Sequence, residues 1–459
     1  MGCFVKGLVI TIVLVGLLVG ELIYITKPYH TPVPQEYLQD HYWGKKTWKL
    51  GDAVPKDNPA IRPFTIKVEQ SVLDDLKDRL NRTRIQDSFP GTNFEYGMRS
   101  DVLMEFTKYW MTSYDWRRQE KHLNSFPNFK TQIEGLDVHF VHIKSSKPNA
   151  IPLILVHGWS GSYIELLKLV PKLKSEFELV IPSLPGYSFS EASYKPGLHI
   201  YHIGRIFKKL MNRLGHDKFM YHGGDWGSVI GRSLARTFPD SLLGYHTTMP
   251  VGPTSLLTAV RVFASEFGLS SIVFQDEAEI SRWKPITTVF SSVVSETGYF
   301  HIQATKPDTI GVALNNDPAG LAAYLLEKFS TLTNKENLLK PHGGLKETFS
   351  MDELLTNIML YWVNGCITSS VRIYKESFFP MTADRGIVTV PTVALVGKHE
   401  VPMVQTATTI KDSYSNVLKY TSLNHGGHYL ALELPDTVAK DLIDFAQMLQ
   451  QRKMDKQEL

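Results

Sequence analysis

The feature that most constrains this chain is Gly223-Gly224-Asp225-Trp226-Gly227. It follows Phe219–Tyr221, which reads as a strand, and opens a helical pattern through Ile230, Leu234 and Phe238 that stops at Pro239. A strand that turns into a helix within so few residues crowds both elements against the central residue, so its neighbours must be small. The central residue is an aspartate. Its carboxylate is ionised at neutral pH and needs no base to remove a proton before it attacks an electrophile. The free N–H groups at the start of the helix favour an anion there. Taken alone, a Gly-rich turn with Asp225 as helix cap explains the same residues. A nucleophile needs partners.

One partner lies upstream, in His157-Gly158-Trp159-Ser160, just past the strand-like run Leu153–Val156. This is where a backbone N–H, that of Trp159, can face an oxyanion together with the N–H of Trp226. The others lie downstream, in the order nucleophile, acid, histidine. Glu400, in Gly397-Lys398-His399-Glu400, follows the run Val388–Val396, and His428, in Gly426-Gly427-His428, follows Val417–Tyr420. With 16 histidines in the chain, any one of them is weak evidence. Joint placement decides: three residue types, each at a strand's carboxyl end, in the required order. That is the grammar of an α/β-hydrolase. No metal pattern competes, since His399 has no second His four residues on and there is no Cys cluster. Gly-x-Gly-x-x-Gly is absent from the elbow, and no cofactor is expected.

The wider pattern agrees. Val138–Ile143, Leu153–Val156, Leu179–Ile181 and Phe219–Tyr221 alternate with amphipathic stretches, ending on a helix through Val438, Leu442, Phe445 and Leu449. Such alternation builds a mostly parallel sheet covered on both faces. Strand signals vanish between Met249 and about Pro380, which leaves room for a mainly helical cap. Upstream, Ser71 and Ser100 are placed to cap helices, and Trp43 and Trp48 to anchor a Pro-rich linker against the body. The expected division is therefore residues 1–27, 28–136 as linker and helical meander, 137–248 as first core segment, 249–385 as cap and 386–459 as second core segment.

Residues 7–26 are apolar apart from Thr11, Glu21 and Thr26, and about 20 such residues cross a bilayer. The residues around Gly20-Glu21-Leu22 suit a signal-peptide cleavage site poorly, so an uncleaved N-terminal membrane anchor is expected. Asn81-Arg82-Thr83 is a sequon that matters only if the body is lumenal. Forty-nine basic against 46 acidic residues give no reason to expect nucleic acid, and Cys3 and Cys366 make no disulfide framework.

These residues resemble the microsomal epoxide hydrolases, and within them the insect juvenile hormone epoxide hydrolases. The resemblance runs from Tyr42-Trp43-Gly44 to the last helix and is carried by stretches such as Asp115-Trp116-Arg117, Gly298–Gln303, Thr305–Thr309 and Leu325–Ser330. It implies Asp225 as nucleophile, His428 as base, Glu400 as its orienting acid, and Tyr299 and Tyr374 as cap tyrosines that hydrogen-bond the epoxide oxygen. It implies a diol product from a lipophilic epoxide and water, the substrate being juvenile hormone or a xenobiotic epoxide of the cis-stilbene-oxide type. It also implies a body on the cytosolic face of the endoplasmic reticulum. Two positions depart from the family. Ser160 replaces a usual Pro, so the turn either keeps a cis bond or changes shape, and Ser188 replaces a usual Gly. A haloalkane dehalogenase and a catalytically impaired epoxide-binding protein remain alternatives.

Overall fold

The β-branched runs become the centre of a nine-stranded sheet in the order β1-β2-β3-β5-β4-β6-β7-β8-β9. The computed structural model describes residues 32–455, apart from 254, 275, 276, 284 and 403. The strands are β1 (Arg62–Pro63), β2 (Asn128–Ile133), β3 (Leu136–Ile143), β4 (Ile151–Val156) and β5 (Phe177–Pro182), then β6 (Phe219–Gly223), β7 (Leu242–Thr247), β8 (Thr392–Val396) and β9 (Val417–Ser422). The first three pair antiparallel and β3 meets β5 antiparallel; from β5 through β4, β6, β7 and β8 to β9 every pairing is parallel.

Fourteen helices matter here: α1 (Gln70–Asn81), α2 (Ser100–Thr112), α3 (Trp116–Leu123), α4 (Ile200–Arg213), α5 (Asp225–Thr237), α6 (Leu256–Ala264) and α7 (Glu277–Trp283), followed by α8 (Ile286–Glu296), α9 (Gly298–Thr305), α10 (Pro307–Asn316), α11 (Pro318–Thr331), α12 (Met351–Val363), α13 (Ile367–Ala383) and α14 (Pro435–Asp455). The sheet is covered on both faces, and β7 shows how. Gly244 and His246 face α14, where a side chain on Gly244 would fall 2.4 Å from the Phe445 ring. Tyr245, pointing the other way as strand alternation demands, donates its hydroxyl to Ser228 O of α5 at 2.7 Å. This is the α/β-hydrolase fold with a mostly helical insertion: from α6 to α13 the described residues include no strand.

Several expectations need correction. Neither Ser71 nor Ser100 caps a helix, because α1 starts at Gln70 and α2 at Ser100 itself. The Ser100 hydroxyl accepts from Ser88 N–H instead, at 2.9 Å. The strand expected over 388–396 is confined to Thr392–Val396, with Val388 reaching only an isolated bridge to Tyr414. β2 and β7 were not expected. Trp43 does anchor the arm: its ring is buried and its indole N–H donates to Glu134 Oε2 at 2.9 Å, whereas Trp48 is only half-buried. The expected anchor over residues 7–26 lies outside the described residues; among those described, no helix is long and apolar enough to cross a membrane.

Candidate active site

β6 delivers Asp225 into the elbow with φ at +47°, in the left-handed region that non-glycine residues seldom occupy. The turn closes because its neighbours lack side chains. A Cβ on Gly223 would lie 2.4 Å from Gly227 O, and one on Gly158 would lie 2.1 Å from Asp225 Oδ1. That second vacancy lets the turn after β4 slide over the carboxylate. The N–H of Trp159 donates to Asp225 Oδ1 at 2.8 Å. Trp226, first after the elbow, has a buried ring, but its N–H makes no bond to the Asp225 side chain here. The Trp159–Ser160 peptide is cis. Ser160 is buried and its hydroxyl pairs with the Tyr429 hydroxyl at 2.7 Å, while Asn357 donates to Ser160 O at 2.7 Å.

The other oxygen of the carboxylate, Oδ2, stands 3.3 Å from His428 Nε2, and His428 Nδ1 stands 2.6 Å from Glu400 Oε1. Glu400 is buried just past β8, and Val401 N–H also donates to it at 2.8 Å. Burial alone would strip the proton from His428. The Glu400 carboxylate, with help from Asp225, outweighs that and holds the imidazole well above its usual value. The loop around it is fixed by Glu433, which accepts from Gly427 N–H at 2.8 Å and Tyr429 N–H at 2.9 Å.

The two tyrosines come from separate cap helices, Tyr299 from α9 and Tyr374 from α13, and meet over the elbow. Trp159 is the hub: its ring stacks on Tyr299 at 5.3 Å between centroids and meets Tyr374 edge-on at 5.8 Å. Tyr374 also meets the Trp226 ring edge-on at 4.8 Å. Burial raises both phenols far above their usual range; the Asp225 charge adds to this for each, and Tyr299 adds to it for Tyr374. Both are therefore protonated hydrogen-bond donors at neutral pH.

Sequence reasoning missed Glu165, which sits in the short 3-10 turn Tyr163–Leu169. A Cβ on Gly161 would lie 2.2 Å from its Oε2, so the carboxyl occupies space that a missing side chain leaves beside the turn. Burial pushes its pKa up to about 8, the His428 charge lowers it and Asp225 raises it further. Ser188 takes φ at +48°, so the position keeps the left-handed backbone that glycine favours even with a side chain present. The group among the described residues that suits a metal ion lies apart, at the opposite rim of the sheet. There His142 Nε2 and His216 Nε2 stand 2.6 and 3.1 Å from Glu178 Oε1.

Residues 61–166 match the family model described as epoxide hydrolase N terminus, and residues 151–268 match that described as alpha/beta hydrolase fold. The juvenile hormone epoxide hydrolase of Manduca sexta is 40% identical over 442 residues, covering 93% of this chain and 94% of that one. Epoxide hydrolase 1 of Sus scrofa is 37% identical over 444 residues, covering 90% and 94%. The crystal structure of juvenile hormone epoxide hydrolase from the silkworm Bombyx mori superposes with a TM-score of 0.84 at 37% identity, covering 90% of this chain and 99% of that one.

Proposed function

The chain belongs to the microsomal epoxide hydrolase family and is an epoxide hydrolase; from that premise we propose a membrane-bound enzyme that turns lipophilic epoxides, juvenile hormone above all, into diols through an ester on Asp225. Family membership favours the epoxide reading over a haloalkane dehalogenase, and an impaired binding protein would form no diol. The observation that carries the mechanism is the double engagement of one carboxylate. Trp159 N–H holds Oδ1 at 2.8 Å and His428 Nε2 stands 3.3 Å from Oδ2.

In this reading an Asp225 oxygen attacks one ring carbon and the C–O bond of the epoxide breaks. A phenol, Tyr299 or Tyr374, gives its proton to the departing alkoxide. The ester has no charge, so His428 loses one of the two carboxylates that keep it protonated. It passes its proton on to the phenolate and becomes a base. His428, oriented by Glu400, then takes a proton from water, and the hydroxide adds to the ester carbonyl. The N–H groups of Trp159 and Trp226 stabilise the oxyanion, each donor contributing about 2.7–4 kcal/mol. Collapse frees the diol and restores the carboxylate.

A lipophilic substrate fits the aromatic wall, where Phe300 meets Tyr374 at 5.1 Å and Phe378 at 6.0 Å. The relatives named for juvenile hormone support that substrate, and the similarity to epoxide hydrolase 1 keeps xenobiotic epoxides in view. The apolar residues 7–26 support a single-pass anchor in the endoplasmic reticulum with the catalytic body on the cytosolic side. The five-part division of the chain belongs to the same reading.

The test measures diol formed from juvenile hormone and from cis-stilbene oxide, with Asp225→Ala as blank, and extracts membranes at alkaline pH. Diol absent from the blank, and protein retained in the membrane pellet, are the expected results. The ratio of the two rates ranks hormone against detoxification, and faster turnover of cis-stilbene oxide overturns the hormone assignment.

A further inference from the structure

The cap carries an apolar face that the catalytic reading does not use. On α6, Leu257, Val260 and Phe263 recur every third residue and point outward, Phe263 being 66% exposed, while Thr258 and Val262 are buried. α8 presents Ile286, Phe290 and Val294 at every fourth position, with Phe290 69% exposed, and buries nothing. Between the two helices stand Phe267 and Ile272, at 70% and 78%. The pieces are joined. The Phe263 and Phe267 rings lie 4.9 Å apart, and Ile286 N–H donates to Glu266 Oε1 at 2.8 Å. Among the described residues from 257 to 296, Glu277 is the only exposed charged side chain. The other exposed positions are apolar, small, or neutral Ser and Thr.

Soluble monomers rarely leave so continuous an apolar surface bare; it marks a partner or a lipid surface. We infer that this face of the cap lies in the interfacial layer of a bilayer, as a second membrane contact beside residues 7–26. The inference rests on the membrane-bound reading above. Two observations favour lipid over protein. Among the described residues the exposed large side chains of the face are Phe, Leu, Ile and Val with almost no charge between them, whereas a protein interface rings its apolar core with a polar rim. The apolar segment ends at Lys27, five residues before the first described residue, so the body is tethered close to the plane that segment would cross. Among the described residues no exposed cation stands on the face, so contact is hydrophobic and indifferent to anionic lipid.

The face is fixed to the catalytic site. From α7, Arg282 donates to Gly397 O at 2.7 Å, and Glu279 accepts from Thr408 N–H at 2.6 Å, which ties the segment to the loop that carries Glu400. α8 runs directly into α9 and Tyr299. A docked cap therefore keeps lipid beside the wall over Asp225, where an apolar epoxide is most concentrated.

The test places an environment-sensitive fluorophore on the full chain reconstituted in phosphatidylcholine vesicles, at Phe290→Cys or, as control, at Phe89→Cys, which is 67% exposed elsewhere on the body. Cys3→Ser removes the competing thiol, and Cys366 is buried. Lipid-borne spin label is expected to quench position 290 at least about twofold more than position 89, unchanged when phosphatidylserine is added. Equal quenching in protein that still floats with the vesicles overturns the docking face alone. Protein that does not float overturns both the face and the membrane-bound reading. A position 290 shielded from lipid label and from aqueous iodide alike shows a protein cover, and also overturns it.

Discussion

His428 Nδ1 lies 2.6 Å from Glu400 Oε1 while its Nε2 lies 3.3 Å from Asp225 Oδ2, so one imidazole is clamped tightly by its acid and held more loosely by the nucleophile. The tight contact fixes the ring; the loose side leaves the nitrogen free to turn to water once Asp225 is esterified. Removing the base should therefore spare the first step and stop the second. His428→Gln is expected to accumulate one equivalent of ester, visible as an intact-mass increase equal to that of the epoxide and absent in His428→Gln/Asp225→Ala. Glu400→Gln, which leaves the ring unoriented, should slow turnover by on the order of 10⁴-fold. Ester that clears at the parent rate in His428→Gln sinks the assignment.

The tyrosines should act on the opposite step. Because burial and the Asp225 charge keep both phenols protonated, each can donate to the forming alkoxide. Tyr299→Phe or Tyr374→Phe keeps the ring against Trp159 and removes only the donor, so alkylation should slow by on the order of 10²-fold with the melting temperature unchanged. The double variant should lose ester formation altogether. Single-turnover kinetics decide it, and a double variant that still alkylates at the parent rate removes the phenols from the mechanism.

How much of this was readable follows from where each residue's signal comes from. Asp225, Glu400 and His428 stand at the ends of β6, β8 and β9, each marked by an apolar or β-branched run and Gly punctuation, so local sequence finds them. β2 and β7 escaped because neither carries such a run. Asn128–Ile133 is half polar, and β7 contains Gly244 and His246. His246 is tolerable only because Asp441, 195 residues away, lies 3.0 Å from its Nε2. Tyr299 and Tyr374 converge through helix packing in the cap, which no local pattern encodes; only the family resemblance singled them out. Glu165 owes its place to a side chain that Gly161 lacks, so it was invisible to a search for chemistry-bearing clusters.

Glu165 gives a prediction with a definite sign. Its pKa is pushed up to about 8 in the folded chain, above its ordinary value, so folding favours the protonated form. Stability linked to it is complete below the unfolded value and is lost as pH rises toward about 8. Glu165→Gln keeps the shape without the titration. The variant's melting temperature should thus gain on the parent's between about pH 5 and about pH 9. A constant difference across that range shows an ordinary carboxylate.

The last prediction concerns the clasp that holds the N-terminal arm. Glu134 and Gly135 turn the β2–β3 hairpin with φ at +53° and +82°, and Asp57 accepts both of their N–H groups at 2.7 and 2.8 Å. The Glu134 side chain is buried and engages Arg205 of α4 through two bonds, at 2.7 and 2.8 Å, as well as Lys209 Nζ at 2.9 Å and the Trp43 indole. Removing the carboxylate leaves the buried Arg205 guanidinium facing an unfilled space, and an uncompensated buried charge costs about 3–5 kcal/mol. Glu134→Ala should lower the urea midpoint accordingly, while the fraction that remains folded keeps its turnover number, because the clasp touches no catalytic group. Glu134→Ala/Arg205→Met, which removes both charges and fills the space, should recover most of the loss. A double variant as unstable as the single one would show that the hairpin turn, rather than the buried ion pair, depends on Glu134.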